Sequence, residues 1–153
     1  MISKTLVVGL RQLMMIPATL LVVGINPRVG FAQNKLYSPI LLTPSTELSD
    51  TLSVKDIPTG QGGFGRDYMV NLNKGDQLVI DLTSESFDTI ITLLAPNAAT
   101  VAENDDGPDG SSNSLLFTRI NETGNYIIRV RSFGETGVGE FKLNVTKLQK
   151  VTK

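Results

Sequence analysis

Apolar and polar residues alternate along most of the chain after residue 65. Four segments share this period of two, and their apolar positions are Tyr68, Val70 and Leu72; Leu78, Ile80 and Leu82; Tyr126, Ile128 and Val130; and Phe141, Leu143 and Val145. Period-two spacing is typical of β-strands that bury one face and expose the other. We therefore expect these positions to form the core.

Three further segments are also expected to form strands. The run from Phe87 to Leu94 is almost continuously apolar, which favours an interior strand covered on both faces. Residues 100–103 and 115–120 predict shorter strands, and turn signals such as Asn73-Lys74-Gly75-Asp76 separate the segments. About seven or eight short strands without a helix predict an all-β fold, an antiparallel β-sandwich of jelly-roll type. This domain is placed at residues 64–148, with a tail at 149–153.

The N-terminus has the pattern of a signal peptide. Lys4 and Arg11 precede an apolar stretch, and Gly30-Phe31-Ala32 supplies the small residues expected before a cleavage site. Pro17, Asn26 and Pro27 interrupt the stretch, which is therefore shorter than the ~20 uninterrupted apolar residues of a spanning helix. We expect residues 1–32 to be removed and the product to be secreted, periplasmic or bound at the cell surface, without stable membrane insertion.

Residues 33–63 are rich in proline and glycine. Such a composition is typical of a linker. Leu48, Thr51, Leu52 and Val54 are interpreted either as an edge strand or as part of a tether.

The composition excludes several kinds of site. The chain has no cysteine and no histidine, so disulfides, thiolate metal sites and a serine–histidine–aspartate triad are ruled out. The net charge of −1 provides no basic field for nucleic acid. We predict that the protein is not an enzyme.

An acidic, glycine-rich loop spans residues 103–114. Its carboxylates and neutral oxygens, together with the carboxylate at the start of the preceding apolar strand, could bind calcium, which prefers six to eight oxygen ligands. The candidate calcium ligands are Asp88, Asp105, Asp106, Asp109, Asn113 and Ser114. The alternative is an ordinary turn, because Asp and Gly suit turn positions, and Asp88 alone could accept hydrogen bonds from loop amides.

Four basic residues offer a second candidate surface. Arg129 and Arg131 share one strand face, and Lys142 would lie beside them if the last two strands paired, with Arg119 nearby. The two interpretations are a stripe that binds acidic groups and a solvated face with cross-strand pairs to Asp or Glu.

An ordered set of motifs resembles the bacterial pre-peptidase C-terminal domain. These motifs are Arg66-Asp67-Tyr68, Asn73-Lys74-Gly75-Asp76, Leu78-Val79-Ile80, Phe87-Asp88, Asn104-Asp105-Asp106-Gly107, Asn113-Ser114, Thr123-Gly124-Asn125-Tyr126 and Ile128-Arg129-Val130. The resemblance extends from about Gly63 to Leu148. It implies a secreted β-sandwich, usually attached behind a peptidase catalytic domain, and related sandwiches in clostridial collagenases bind collagen and calcium.

Together these features predict a secreted, non-catalytic module that binds protein or polysaccharide outside the cytoplasm, with calcium as a candidate stabilising ion. The alternative is an accessory or chaperone-like partner of a separately encoded secreted peptidase.

Overall fold

The computed structural model describes residues 37–60, 62–134 and 136–149. The predicted signal peptide at residues 1–32 and most of the predicted tail lie outside these residues. Among the residues that the structure describes, no helix is long and apolar enough to cross a membrane.

The described residues contain ten β-strands and no α-helix. The strands are β1 (Ile40–Leu42), β2 (Thr46–Leu52), β3 (Ile57–Pro58), β4 (Phe64–Leu72), β5 (Gln77–Thr83), β6 (Thr89–Leu94), β7 (Thr100–Asn104), β8 (Ser114–Arg119), β9 (Gly124–Ser132) and β10 (Gly139–Leu148). The all-β prediction is confirmed. Strands β1 and β3 have only three and two residues. Such short strands are too brief to show an alternating pattern.

The strands form two sheets. In sheet A the order is β1-β4-β9-β6-β7, with β3 also paired to β4, and in sheet B it is β2-β10-β5-β8. Strand β1 runs parallel to β4, whereas the other pairings are antiparallel. Two facing antiparallel sheets are the β-sandwich that the sequence predicted.

The core lies between the inner faces of the two sheets. All twelve apolar positions of the four alternating segments are buried, which confirms the period-two prediction. Strand β6 is buried at five of its six positions, as expected of an interior strand. The ring of Phe141 packs edge-to-face against Tyr68 and Phe87, with centroids 6.4 and 6.3 Å away. Burial of each such side chain stabilises the fold by about 1.5–3 kcal/mol.

The segment before residue 64 is part of the sandwich. It contributes β1 and β3 to sheet A, and β2 forms an edge of sheet B beside β10. Polar contacts hold it as well: Arg66 of β4 forms ion pairs with Asp50 and Asp56, each at 2.7 Å. Residues 40–58 are therefore packed against the domain over most of their length, and the boundary at residue 63 stays a prediction.

Candidate functional site

The acidic loop forms hydrogen bonds that close it on itself. The amide of Ser111 and its hydroxyl both donate to Oδ1 of Asp109, at 3.1 and 2.7 Å. These bonds, the hydroxyl's above all, hold the pKa of the Asp109 carboxyl below its usual value. The amide of Gly110 donates to the carbonyl of Gly107 at 3.1 Å, and Gly110 has a φ of 71° that suits glycine. The geometry is that of consecutive turns.

The same loop covers part of the edge of sheet B. The amide of Leu115, in edge strand β8, donates to the carbonyl of Asp106 at 3.1 Å. The side-chain amide of Asn104 donates to the carbonyls of both Asp106 and Leu115, at 2.7 and 2.8 Å. Because exposed edge groups can pair with other chains, this arrangement protects the start of β8.

The candidate calcium ligands have different surroundings in the structure. Asn113 accepts a bond from the amide of Ser84 at 3.0 Å, and the buried hydroxyl of Ser114 bonds Thr89 at 2.6 Å. Asp88, Asp106 and Asp109 are exposed, and Asp105 is partly buried. Within residues 37–60, 62–134 and 136–149, no group of three or more acidic, His or Cys side chains is arranged to hold a metal ion. Calcium binding stays a prediction that requires the loop carboxylates to move together.

Three loops meet at one end of the sandwich, which we call the loop end: residues 84–88, residues 105–113, and residues 133–134 with 136–138. The amide of Thr89 donates to the carbonyl of Ser112 at 2.9 Å, and that of Phe133 donates to the carbonyl of Asp88 at 2.8 Å. Gly137 lies so close to the first loop that an added Cβ would be 2.4 Å from Cβ of Phe87. Since each loop is fixed to another, the loop end is an ordered surface.

The loop end is acidic and carries exposed apolar side chains. Glu85, Asp88, Asp106 and Asp109 are exposed, and in the described part of the chain none of them forms a salt bridge. The side chain of Phe133, in the third of these loops, is 53% exposed. Sequence reasoning missed Phe133, because a single aromatic residue in a glycine-rich loop gives no periodic signal.

A cleft of about 410 Å³ opens beside the loop end. It lies against the outer side of β2, β5 and β10, and the hydroxyls of Ser49, Thr83 and Ser84 contribute to its walls. The carboxylates of Glu85 and Glu140 also line it, together with Lys142. This lining can accept hydrogen bonds from a cationic or hydroxyl-rich group.

The proposed basic stripe is not formed. The stripe required the last two strands to pair, and this condition is not met: β9 lies in sheet A and β10 in sheet B, which separates Lys142 from Arg129 and Arg131. Arg119 is also in sheet B. Long-range pairing of β10 with β2 and β5 prevailed over the pairing of neighbours in sequence.

The two arginines of β9 form cross-strand ion pairs, which confirms the alternative interpretation. Arg129 binds both carboxylate oxygens of Asp67, each at 2.7 Å, and Arg131 binds Glu103 at 2.9 Å. Nε of Arg131 is the buried side-chain polar atom that lacks a partner among the described residues.

Asp67 is buried although it faces away from the core. Its side chain is fully covered, because Arg129 packs over it and the hydroxyl of Tyr37 donates to Oδ2 at 2.7 Å. Burial, and then this bond to Asp67, raise the pKa of Tyr37 to about 12. The N-terminal segment is thereby attached to the outer face of sheet A.

Comparison with known proteins agrees with this fold. Residues 65–132 match the family model of the bacterial pre-peptidase C-terminal domain. No significant match was found among curated protein sequences.

Two solved structures share the architecture at low sequence identity. The pre-peptidase C-terminal domain of collagenase from Bacillus anthracis is 12% identical, with a TM-score of 0.56 over 71% of this chain and 95% of that one. PliG of Aeromonas hydrophila, a periplasmic lysozyme inhibitor of g-type lysozyme, is 16% identical, with a TM-score of 0.51 over 72% of this chain and all of that one. At these identities the likeness shows the fold alone.

The family match covers the central strands β4 to β9 almost completely. The motifs that suggested the resemblance lie mostly within it, and the two sheets provide the expected sandwich. The resemblance to the bacterial pre-peptidase C-terminal domain that the sequence suggested is therefore confirmed over residues 65–132.

Proposed function

We propose that the chain is a secreted, non-catalytic β-sandwich module that binds a protein partner outside the cytoplasm through its loop end. The observation that carries the proposal is the side chain of Phe133, which is 53% exposed on a surface of mutually bonded loops. Aromatic side chains on ordered surfaces are frequent hot spots of protein interfaces, because little conformational entropy is lost when they are covered.

The charge of the loop end favours a basic partner. Its exposed carboxylates have no cationic neighbour within salt-bridge distance among the described residues. A complementary positive surface would speed association and fix its orientation. The cleft beside Glu85 and Glu140 has room for a lysine or arginine side chain of such a partner.

The absence of catalysis is supported by the chemistry of the chain. The sequence has neither histidine nor cysteine. The loop carboxylates are exposed or bonded within their own turns, which does not match the paired carboxylates of a glycosidase cleft. Similar sandwiches occur as a domain of a collagenase and as an inhibitor of g-type lysozyme, so the architecture is compatible with a binding role.

Two phenylalanines allow a matched experiment. Phe133 at the loop end and Phe117 on the outer face of sheet B are 53% and 61% exposed, so Phe133→Ser and Phe117→Ser remove similar exposed area from different surfaces. The tagged protein and both variants are incubated with secreted and envelope proteins of the source cells, and bound proteins are identified by mass spectrometry. We expect one basic protein to be captured by the wild type and Phe117→Ser but lost with Phe133→Ser.

The outcome also separates the alternative functions. Capture of a secreted peptidase through Phe133 would identify the accessory role. If the wild-type protein is retained on a polysaccharide and Phe133→Ser is not, the partner is a polysaccharide and not a protein. Equal capture by all three proteins, or loss in both variants, would contradict binding at the loop end.

A further inference from the structure

Strand register places a row of apolar side chains across the outer face of sheet A. Leu41 of β1 is paired with Met69 of β4, Met69 with Ile127 of β9, and Ile127 with Leu94 of β6. Val101 of β7 continues the row at the point where the register between β6 and β7 shifts. The solvent-exposed face of a sheet usually carries polar residues at these positions. An apolar row there indicates a surface that another molecule covers.

The row is accessible from both edges of the sheet. Leu41 is 69% exposed and Val101 38% exposed, while Met69, Leu94 and Ile127 are partly buried. The row crosses five strands, which at a spacing of about 4.8 Å gives a width of roughly 20–24 Å. Tyr37 is half-exposed and bonds to Asp67 on the same face, so it adds an aromatic ring there.

The charged groups beside the row are already neutralised. On one side Asp67 is paired with Arg129 and Glu103 with Arg131, so the four formal charges cancel. On the other side the side-chain amide of Asn71 donates to that of Asn125 at 2.9 Å. Among the described residues beside the row, a charged partner would find no unpaired charge, whereas a neutral apolar surface could cover the row without separating any ion pair.

We propose that the outer face of sheet A is a self-association surface on which a second copy of this chain packs face to face. A two-fold axis brings the same row onto itself, and the partner's face is apolar and neutral for the same reasons. Two sheets packed in this way lie about 10 Å apart, as in any sandwich. Packing two such faces together separates no ion pair, which favours a second copy over a basic or acidic protein.

The area that the two faces can bury indicates that the dimer is weak. A face of roughly 24 by 20 Å buries about 1,000 Å² in total over both copies, which is at the lower limit for specific interfaces. We therefore expect a weak dimer that forms at high protein concentration. The loop end lies at the strand ends and remains uncovered by such packing, so this inference is independent of partner binding at the loop end.

Sedimentation velocity of the purified protein tests the proposal over a range from about 1 μM to about 500 μM, the range expected of a weak complex. We expect the weight-average sedimentation coefficient to rise from the monomer towards the dimer value. Leu41→Asp and Val101→Asp, at opposite edges of the row, should each weaken association at least about tenfold, because a charge would be buried without a partner. Phe117→Asp, on the outer face of sheet B, should associate like the wild type.

Circular dichroism melting confirms that each variant is folded. Because Leu41 and Val101 lie on different edge strands, unfolding of one variant leaves the other as the test. A wild type that stays monomeric throughout would overturn the proposal. So would a dimer that persists in both row variants, or one that only Phe117→Asp dissociates.

Discussion

Asp50 connects the segment before residue 64 to the core through its carboxylate. Oδ2 accepts bonds from Nε of Arg66 at 2.7 Å and from the hydroxyl of Tyr68 at 2.8 Å. Burial acts to raise the pKa of Asp50, but the bonds from the Thr51 amide, Tyr68 and Arg66 outweigh it and hold that pKa below its ordinary value. A carboxylate with a lowered pKa in the folded state stabilises the fold above its unfolded pKa of about 3.9, and that stabilisation is lost as pH falls towards the folded pKa.

Asp50→Asn should therefore lower the free energy of unfolding by about 1–3 kcal/mol at neutral pH, since bonds to a charged group are lost. Between pH 5 and the acid limit its stability should fall less steeply than that of the wild type. Urea unfolding at a series of pH values measures both effects. Glu47→Gln, at an exposed position of the same strand, is the matched control. If the free energy of unfolding falls equally steeply with pH in the wild type and in Asp50→Asn, the hydrogen bonds of Asp50 do not contribute to acid sensitivity.

Gly137 allows the close approach of two loops at the loop end. An added Cβ would lie 2.4 Å from Cβ of Phe87 and 2.5 Å from Oγ of Ser132, distances that require the loops to separate. We expect Gly137→Ala to destabilise the fold by about 1–3 kcal/mol, the usual cost of overpacking. Gly65→Ala should have a smaller effect, because its Cβ would meet the flexible stem of Arg129 at 3.3 Å. Thermal melting compares the stability of the two variants. Equal decreases in melting temperature would contradict the close approach of the loops as the cause.

At the scale of the element, alternation was sufficient to predict which side chains form the core. Tyr68, Val70 and Leu72 are buried because the pleat of β4 directs every second residue inward. Alternation also placed Asp67 on the outer face, yet Asp67 is buried, because Tyr37 comes from 30 residues earlier in the chain to cover it. Such a contact depends on the parallel pairing of β1 with β4, which no local pattern encodes.

The acidic loop shows the same limit for the candidate site. The sequence places carboxylates close together along the chain, but whether they meet depends on how the turns direct each side chain. In the structure Asp109 accepts bonds from Ser111, and Asn113 accepts one from Ser84, so both side chains have hydrogen-bond partners within the loops. Sequence spacing alone could not distinguish a calcium loop from a bonded turn.

The effect of calcium on thermal stability tests the predicted calcium site. A bound ion would stabilise the fold by RT ln(1 + [L]/Kd), so a calcium site predicts a higher melting temperature in millimolar calcium than in EDTA, and equal melting temperatures would contradict it. Differential scanning calorimetry of the wild type and Asp106→Asn makes the measurement. A rise of several degrees that Asp106→Asn removes would establish a calcium site formed by rearrangement of the loop.

At the scale of the whole molecule, the last strand completes the fold. Strand β10 lies between β2 and β5 and supplies Phe141, Leu143 and Val145 to the core. Its pairing with β2 joins residues that are about ninety positions apart, such as Phe141 and Asp50. Since such distant pairings must form before the sheet is stable, we expect the chain to fold slowly, in milliseconds to seconds, and only after its C-terminal residues are available.

Truncation tests this dependence. A chain that ends at residue 138 lacks β10, which leaves two strands of sheet B without their shared neighbour and three core positions empty. We expect it to lose the β-type circular dichroism spectrum and the cooperative unfolding transition. The loss of three buried side chains at about 1.5–3 kcal/mol each is comparable with the usual net stability of a domain, about 5–15 kcal/mol, and the pairing of β10 with both of its neighbours is lost as well. A chain that ends at residue 148 retains β10 and should unfold like the wild type. Cooperative unfolding of the shorter chain would mean that sheet A and the rest of sheet B are stable without their last strand.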